Sequence, residues 1–127
     1  MAELNRINIL DNLYVKDSRD IDQTNLAQVL GVNKKELAIA LKLDPSVLSR
    51  SNIAPTNKTV KNWLAIFNLF IDLIQQEEPQ ISKDQIQVKM SRWLKNPISQ
   101  LGNKSPLDVM MKGSSRKVIH LLEQLNS

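Results

Sequence analysis

Between Lys34 and Asn52 the chain concentrates side chains suited to a polyanion: Lys34 and Lys35 open one short apolar-periodic segment, and Ser46, Ser49, Arg50 and Asn52 punctuate the next. Short polar side chains near the start of a helix approach base edges closely, and an Arg there can hold a guanine with two hydrogen bonds, about 1–3 kcal/mol of discrimination against the wrong base. Lysines at the start of the preceding helix suit phosphate contact. Catalysis has far less to work with. His120 is the sole histidine and lies beside an apolar stripe, there is no Cys, and Glu77 and Glu78 are adjacent, so on a helix they point in different directions. No Gly-rich phosphate loop accompanies a Lys-Ser/Thr pair. No catalytic residue, metal ligand or cofactor is expected, and the chain is read as not an enzyme.

Positioning those polar residues requires helices, and helix signals recur throughout. Leu4, Ile7, Leu10 and Tyr14 form one apolar stripe, followed by a polar loop from Lys16 to Asp20. Asp22 caps a short helix bearing Leu26, Val29 and Leu30, with Gly31 just past its end. Asn33 and Glu36 mark the next start, for a helix through about Leu41, and Asp44-Pro45 opens another three or four residues later. From Thr59 the residues Val60, Trp63, Leu64, Phe67, Phe70, Ile71 and Ile74 recur at helical spacing and end before Pro79, a face broad enough for a shared core or a dimer contact. Ser82 and Gln85 form a capping box with Ile81 and Ile86 as its hydrophobic staple, so the alternating run at 86–90 reads as helix, to about Leu94. Ser105-Pro106-Leu107-Asp108 starts a short helix stopped by Gly113, and Ser114 caps a last one bearing Val118, Leu121, Leu122 and Leu125. No strand is marked, so the fold class expected is all-α.

The 127 residues suffice for one compact domain or two very small ones, and 42% hydrophobic with 24% charged residues is the composition of an ordinary folded protein. Aromatics are only 4%, so aliphatic side chains must build the core. The absence of Cys excludes disulfide stapling and fits a reducing compartment. No secretion signal and no apolar run long enough to span a bilayer is read, so a cytoplasmic location is expected. The net charge of +4 is unevenly spread: residues 31–63 carry six cations against two acids and residues 79–127 eight against three, whereas 1–30 and 64–78 are net acidic. Such alternation suggests localised sites for polyanions or acidic partners.

Within Lys34 to Asn52, Leu37 and Leu41 anchor the first helix, Ala38 is small enough for close crossing, Leu43 plugs the turn, and Leu48 packs the second helix back. Carried by Glu36-Leu37-Ala38, Leu41, Leu43, Ser46, Leu48, Ser49 and Arg50, this segment resembles the helix-turn-helix of Xre-type repressors. Lys42 departs from that pattern, standing where such motifs usually have Gly, so a strained or reshaped turn is expected.

The run from Arg92 to the C-terminal end resembles the toxin-binding domain of the Xre/MbcA/ParS antitoxins, through Trp93, Leu94, Pro97, Leu101, Gly102, Pro106, Leu107, Gly113, Val118 and Leu122. Most of these residues are expected to be structural, Trp93, Leu94, Leu107, Val118 and Leu122 as core. Contacts to a partner fall instead to exposed neighbours, Lys95, Asn103, Lys104, Lys112 and Arg116, whose cations suit an anionic or phosphate-accepting cleft. The resemblance implies an Xre-like helix-turn-helix bundle in residues 1–78, with the motif at about 33–52, followed by a small helical toxin-binding domain in 79–127. It also implies a type II antitoxin that inhibits a cognate toxin, commonly a RES-type NAD-consuming enzyme or an ADP-ribosyltransferase, and binds its own operator DNA as a homodimer to repress transcription. Two rivals remain: a helix-turn-helix transcription regulator whose C-terminal domain only dimerises, without a toxin partner, and an antitoxin that binds protein alone.

Overall fold

The computed structural model describes residues 20–44, 46, 52–54 and 56–126. Across them the fold is all-α: α1 (Gln23–Leu30), α2 (Lys34–Leu41), α3 (Lys58–Glu77), α4 (Lys83–Lys95), a single 3-10 turn (Ser99–Leu101), α5 (Pro106–Met111) and α6 (Ser115–Asn126). The helix starts are set by side chains that accept the otherwise orphaned N–H groups of the first turn. Asp22 accepts from the Asn25 N–H at 3.0 Å and Ser105 from the Asp108 N–H at 3.1 Å. Reciprocal capping boxes join Asn33 to Glu36 and Ser82 to Gln85. The start of α3 lies one residue earlier than its apolar period suggests, because Asn57 accepts from the Val60 N–H at 3.1 Å and brings Lys58 into the helix. The stripe at Leu4–Tyr14, the loop from Lys16 as far as Arg19, and Leu48 lie outside the described residues.

α3 is the axis of the core. Val60, Trp63, Ile66, Phe67, Phe70 and Ile71 are buried along it, and α6 packs down its length. α4 packs against α3, α5 and α1, and α5 closes over α4 and α6. One hydrophobic cluster therefore runs from Leu26 and Leu37 through Trp63 and Met90 to Leu122. Residues 78 and 79 fall in the connection between α3 and α4, where an ion pair from Lys89 to Glu78 ties the middle of α4 to the residue that ends α3, and the core continues across that point. The face from Trp63 to Ile74 is largely consumed within the chain, with Leu64 and Ile74 half-buried at its margins.

Three apolar residues sit further out than their periodicity suggests. Trp93 and Leu107 are half-buried, Trp93 lying over Phe70 with ring centroids 5.1 Å apart at a tilt of 35°. Leu125 is 56% exposed: a hydrogen bond between Gln76 and Asn126 sets the last turn of α6 level with the end of α3, beyond the reach of its apolar face. At the centre, the Trp63 indole N–H is fully buried without a hydrogen-bond partner. Aliphatic burial around that ring therefore outweighs an unmet donor.

Candidate nucleic-acid interface and partner surface

The polar cluster around Lys34 to Asn52 sits on a unit clasped at its two ends. Ile21 and Ile53, both buried, form an isolated antiparallel bridge, the Ile21 N–H donating to the Ile53 carbonyl at 2.8 Å and the Ile53 N–H returning at 3.0 Å. Within this clasp α1 and α2 pack on each other, and Leu37, Ala38 and Leu41 are buried on the inner face of α2 while Leu43 is half-buried in the turn. Two left-handed residues make the corners: Gly31 at φ 73° ends α1 and Lys42 at φ 58° ends α2. After Lys42 the Leu43 N–H reaches back to the Ala38 carbonyl at 2.9 Å, folding the chain onto the core.

Lys34 and Lys35 occupy the first two positions of α2 and are exposed. Cations at a helix N-terminus oppose the macrodipole by about 0.3–1 kcal/mol each, so nothing in the helix itself calls for them. Only Glu36, through the capping box, offsets them locally. At the other end of α2, about 12 Å along an eight-residue helix, Ser46 is exposed and has helical backbone. Its N–H and hydroxyl both donate to Asp44 Oδ1, at 2.8 and 2.7 Å. Asn52 is exposed immediately before the clasp. Ser49 and Arg50 lie outside the described residues. The expected site thus has two described poles, a lysine pair and the Asp44–Ser46 opening of the next segment.

The bonds from Ser46, the hydroxyl's first and the backbone N–H's second, hold the Asp44 carboxyl below its ordinary value of 3.8. A depressed folded value means that this cap contributes fully above the ordinary value and loses its contribution as pH falls through the lowered one. Asp44→Asn is therefore expected to flatten part of the acid limb of stability. Denaturant midpoints of the two proteins, compared from about pH 6 to about pH 2, check this; equal acid dependence would remove Asp44 from the account.

The five residues expected to meet a protein partner are all exposed, but they do not form one cluster along the chain. Asn103 and Lys104 belong to a small loop closed by an isolated bridge between Ile98 and Lys104. The Ile98 N–H donates to the Lys104 carbonyl at 3.1 Å and the Asn103 N–H to the Ile98 carbonyl at 3.0 Å. Gly102 and Asn103, both left-handed, turn the chain there. Lys112 and Arg116 flank the α5–α6 corner. Lys95, the last residue of α4, leans away toward the clasped unit, and its Cε and Nζ each lie 3.0 Å from where a Cβ on Gly31 would stand. Gly31 is required by its backbone angle, while the flexible end of the exposed Lys95 over it can move aside. Sequence reading had no access to that contact, which joins residues far apart along the chain.

The residues carrying the C-terminal pattern take structural places. Leu94, Val118 and Leu122 are fully buried, Leu101 and Pro106 nearly so, and Gly102 and Gly113 have positive φ. His120 is exposed on α6, beside Gln124. No helix among the described residues is long and apolar enough to cross a membrane.

No family model and no curated protein matches the chain. Its fold is similar to that of a chain in the crystal structure of the M. tuberculosis MbcT-MbcA toxin-antitoxin complex, with a TM-score of 0.45 and 16% sequence identity over 94% of this chain and 95% of that one.

Proposed function

We propose that this protein is the antitoxin of a type II toxin–antitoxin system: it binds and inhibits a cognate toxin through its C-terminal helices and represses its own operon through the helix-turn-helix segment. The observation that supports the reading best is the clasped unit from Ile21 to Ile53. It exposes Lys34, Lys35, Ser46 and Asn52 while seating α1 on α4. A cationic pair at the head of one helix and a capped polar start after a tight turn are what phosphate contact and base contact respectively need.

The partner side of the proposal rests on the Xre/MbcA/ParS-like pattern between Trp93 and Leu122 and on the exposed cations around it. Lys104, Lys112 and Arg116 suit an acidic or phosphate-accepting cleft, as in a RES-type NAD-consuming toxin or an ADP-ribosyltransferase. The chain holds the toxin inactive by covering that cleft and contributes no catalytic group or cofactor of its own. On DNA it acts as a homodimer, whose two-fold symmetry matches an inverted repeat.

Co-expression with the enzyme encoded beside its gene tests the whole reading. Growth rescue together with co-purification is the expected result. If the neighbour is not toxic, or is toxic and neither rescued nor co-purified, a transcription regulator with a C-terminal dimerisation domain is the better account. Rescue without specific, salt-sensitive operator binding leaves a protein-binding antitoxin alone.

A further inference from the structure

Five described residues have left-handed backbone: Gly31, Gly102, Gly113, Asn103 and Lys42. Three are glycines, for which the conformation is free of Cβ strain, and Asn is the side chain that tolerates it best. Lys42 alone, at φ 58° and ψ 40°, bears a long side chain in a conformation that disfavours one. Gly31 shows how the same corner is made without strain: its φ of 73° and ψ of 33° end α1 in the same way, with its N–H reaching the Ala27 and Gln28 carbonyls as that of Lys42 reaches Ala38 and Ile39.

Nothing in the described fold recovers the strain through the side chain. Lys42 is exposed and, among the described residues, makes no ion pair or side-chain hydrogen bond. A cation held at a strained position without an internal partner implies an external one. It sits in the turn between the lysine pair and Ser46, inside the block of residues 31–63 with six cations and two acids. We infer that Lys42 is a phosphate-contacting residue of the DNA interface, its ammonium placed by the left-handed corner against the backbone that flanks the groove entered after Asp44. This rests on the DNA-binding reading above and extends the interface to the turn itself.

The test uses the full chain and a mixed-sequence DNA duplex, because non-specific binding isolates the phosphate contribution. Lys42→Gln keeps the Cβ and the backbone strain while removing the charge. It is expected to leave the thermal midpoint unchanged, to lower affinity by roughly 5- to 10-fold at about 0.1 M salt, and to reduce the log-affinity against log-salt slope by about one. Lys42→Arg should retain both. Lys42→Gly should raise the thermal midpoint by a few degrees while losing the same DNA affinity as the Gln variant, so that fold and function move in opposite directions.

Unchanged affinity and slope in Lys42→Gln, with both lowered in a Lys34→Gln/Lys35→Gln control, would overturn the inference and leave the DNA reading standing. A wild-type chain that fails to bind the duplex even at about 50 mM salt, where phosphate contacts are strong, would overturn both. If Lys42→Gln instead loses neutralisation of the neighbouring enzyme with DNA binding intact, Lys42 belongs to the protein interface and the inference is wrong.

Discussion

Truncating Leu122 to Ala is expected to cost the chain about 2–5 kcal/mol, and the loss should register in α1 as fully as in α6. Leu122 is fully buried on the stripe that α6 lays along α3. Removing its outer carbons forfeits their transfer free energy and leaves a space that close-packed neighbours fill only in part. Small domains are stable by only about 5–15 kcal/mol, so the variant should sit near its unfolding threshold at moderate temperature. The reach of the effect follows from connectivity: α6 packs on α3, α3 on α4, and α4 on α1, so the clasped unit of α1 and α2 rests on the C-terminal helices. Native-state amide exchange reads this directly. Protection at Leu26, Ala27 and Leu30 should fall together with protection at Val118 and Leu121. Loss confined to α5 and α6, with α1 and α2 as protected as before, would mean that the halves on either side of residue 78 fold separately.

The parts of this fold that depend on neighbours in sequence were legible there. The box from Asn33 to Glu36, the box from Ser82 to Gln85 with its staple of Ile81 and Ile86, and Ser105 ahead of Pro106 each place donor and acceptor within four residues, and each start falls as read. The Asn57 cap was missed because its third following residue is Val60, which cannot reciprocate as a Glu or Gln would. What escaped entirely joins distant residues. The clasp between Ile21 and Ile53 and the lysine of α4 over Gly31 have no local signature, since each depends on how the helices meet. Leu125 and Trp93 show the converse limit, where correct periodicity names a face but not where the neighbouring helix ends. In the candidate interface, residue type and exposure were legible for Lys34, Lys35, Ser46 and Asn52. The hold of Asp44 on the Ser46 hydroxyl was not, whereas the left-handed backbone of Lys42 is the strained turn expected where such motifs carry Gly.

Neutralising Lys34 and Lys35 together should make the fold slightly more stable and the DNA complex roughly 50-fold weaker at about 0.1 M salt. Both side chains are exposed on the first turn of α2, where the partial positive charge of the helix end repels an ammonium, so Lys34→Gln/Lys35→Gln removes two unfavourable terms of about 0.3–1 kcal/mol each. The capping box survives, because it is made by Asn33 and Glu36. Each phosphate contact contributes close to one unit to the slope of log affinity against log salt, so the slope should fall by about two. Neutralisation of the neighbouring enzyme should be unaffected, since the residues proposed to meet it lie on the loop at Asn103 and Lys104, at the α5–α6 corner and at the end of α4. The informative comparison is therefore three measurements on one variant: thermal midpoint, salt-dependent duplex binding and growth rescue. A higher midpoint with weaker binding and full rescue means that the lysines are kept for DNA against the preference of their own helix. Unchanged binding would move the DNA contacts off α2 altogether, and loss of rescue would place the toxin on the same face as the operator, so that the two partners compete for α2.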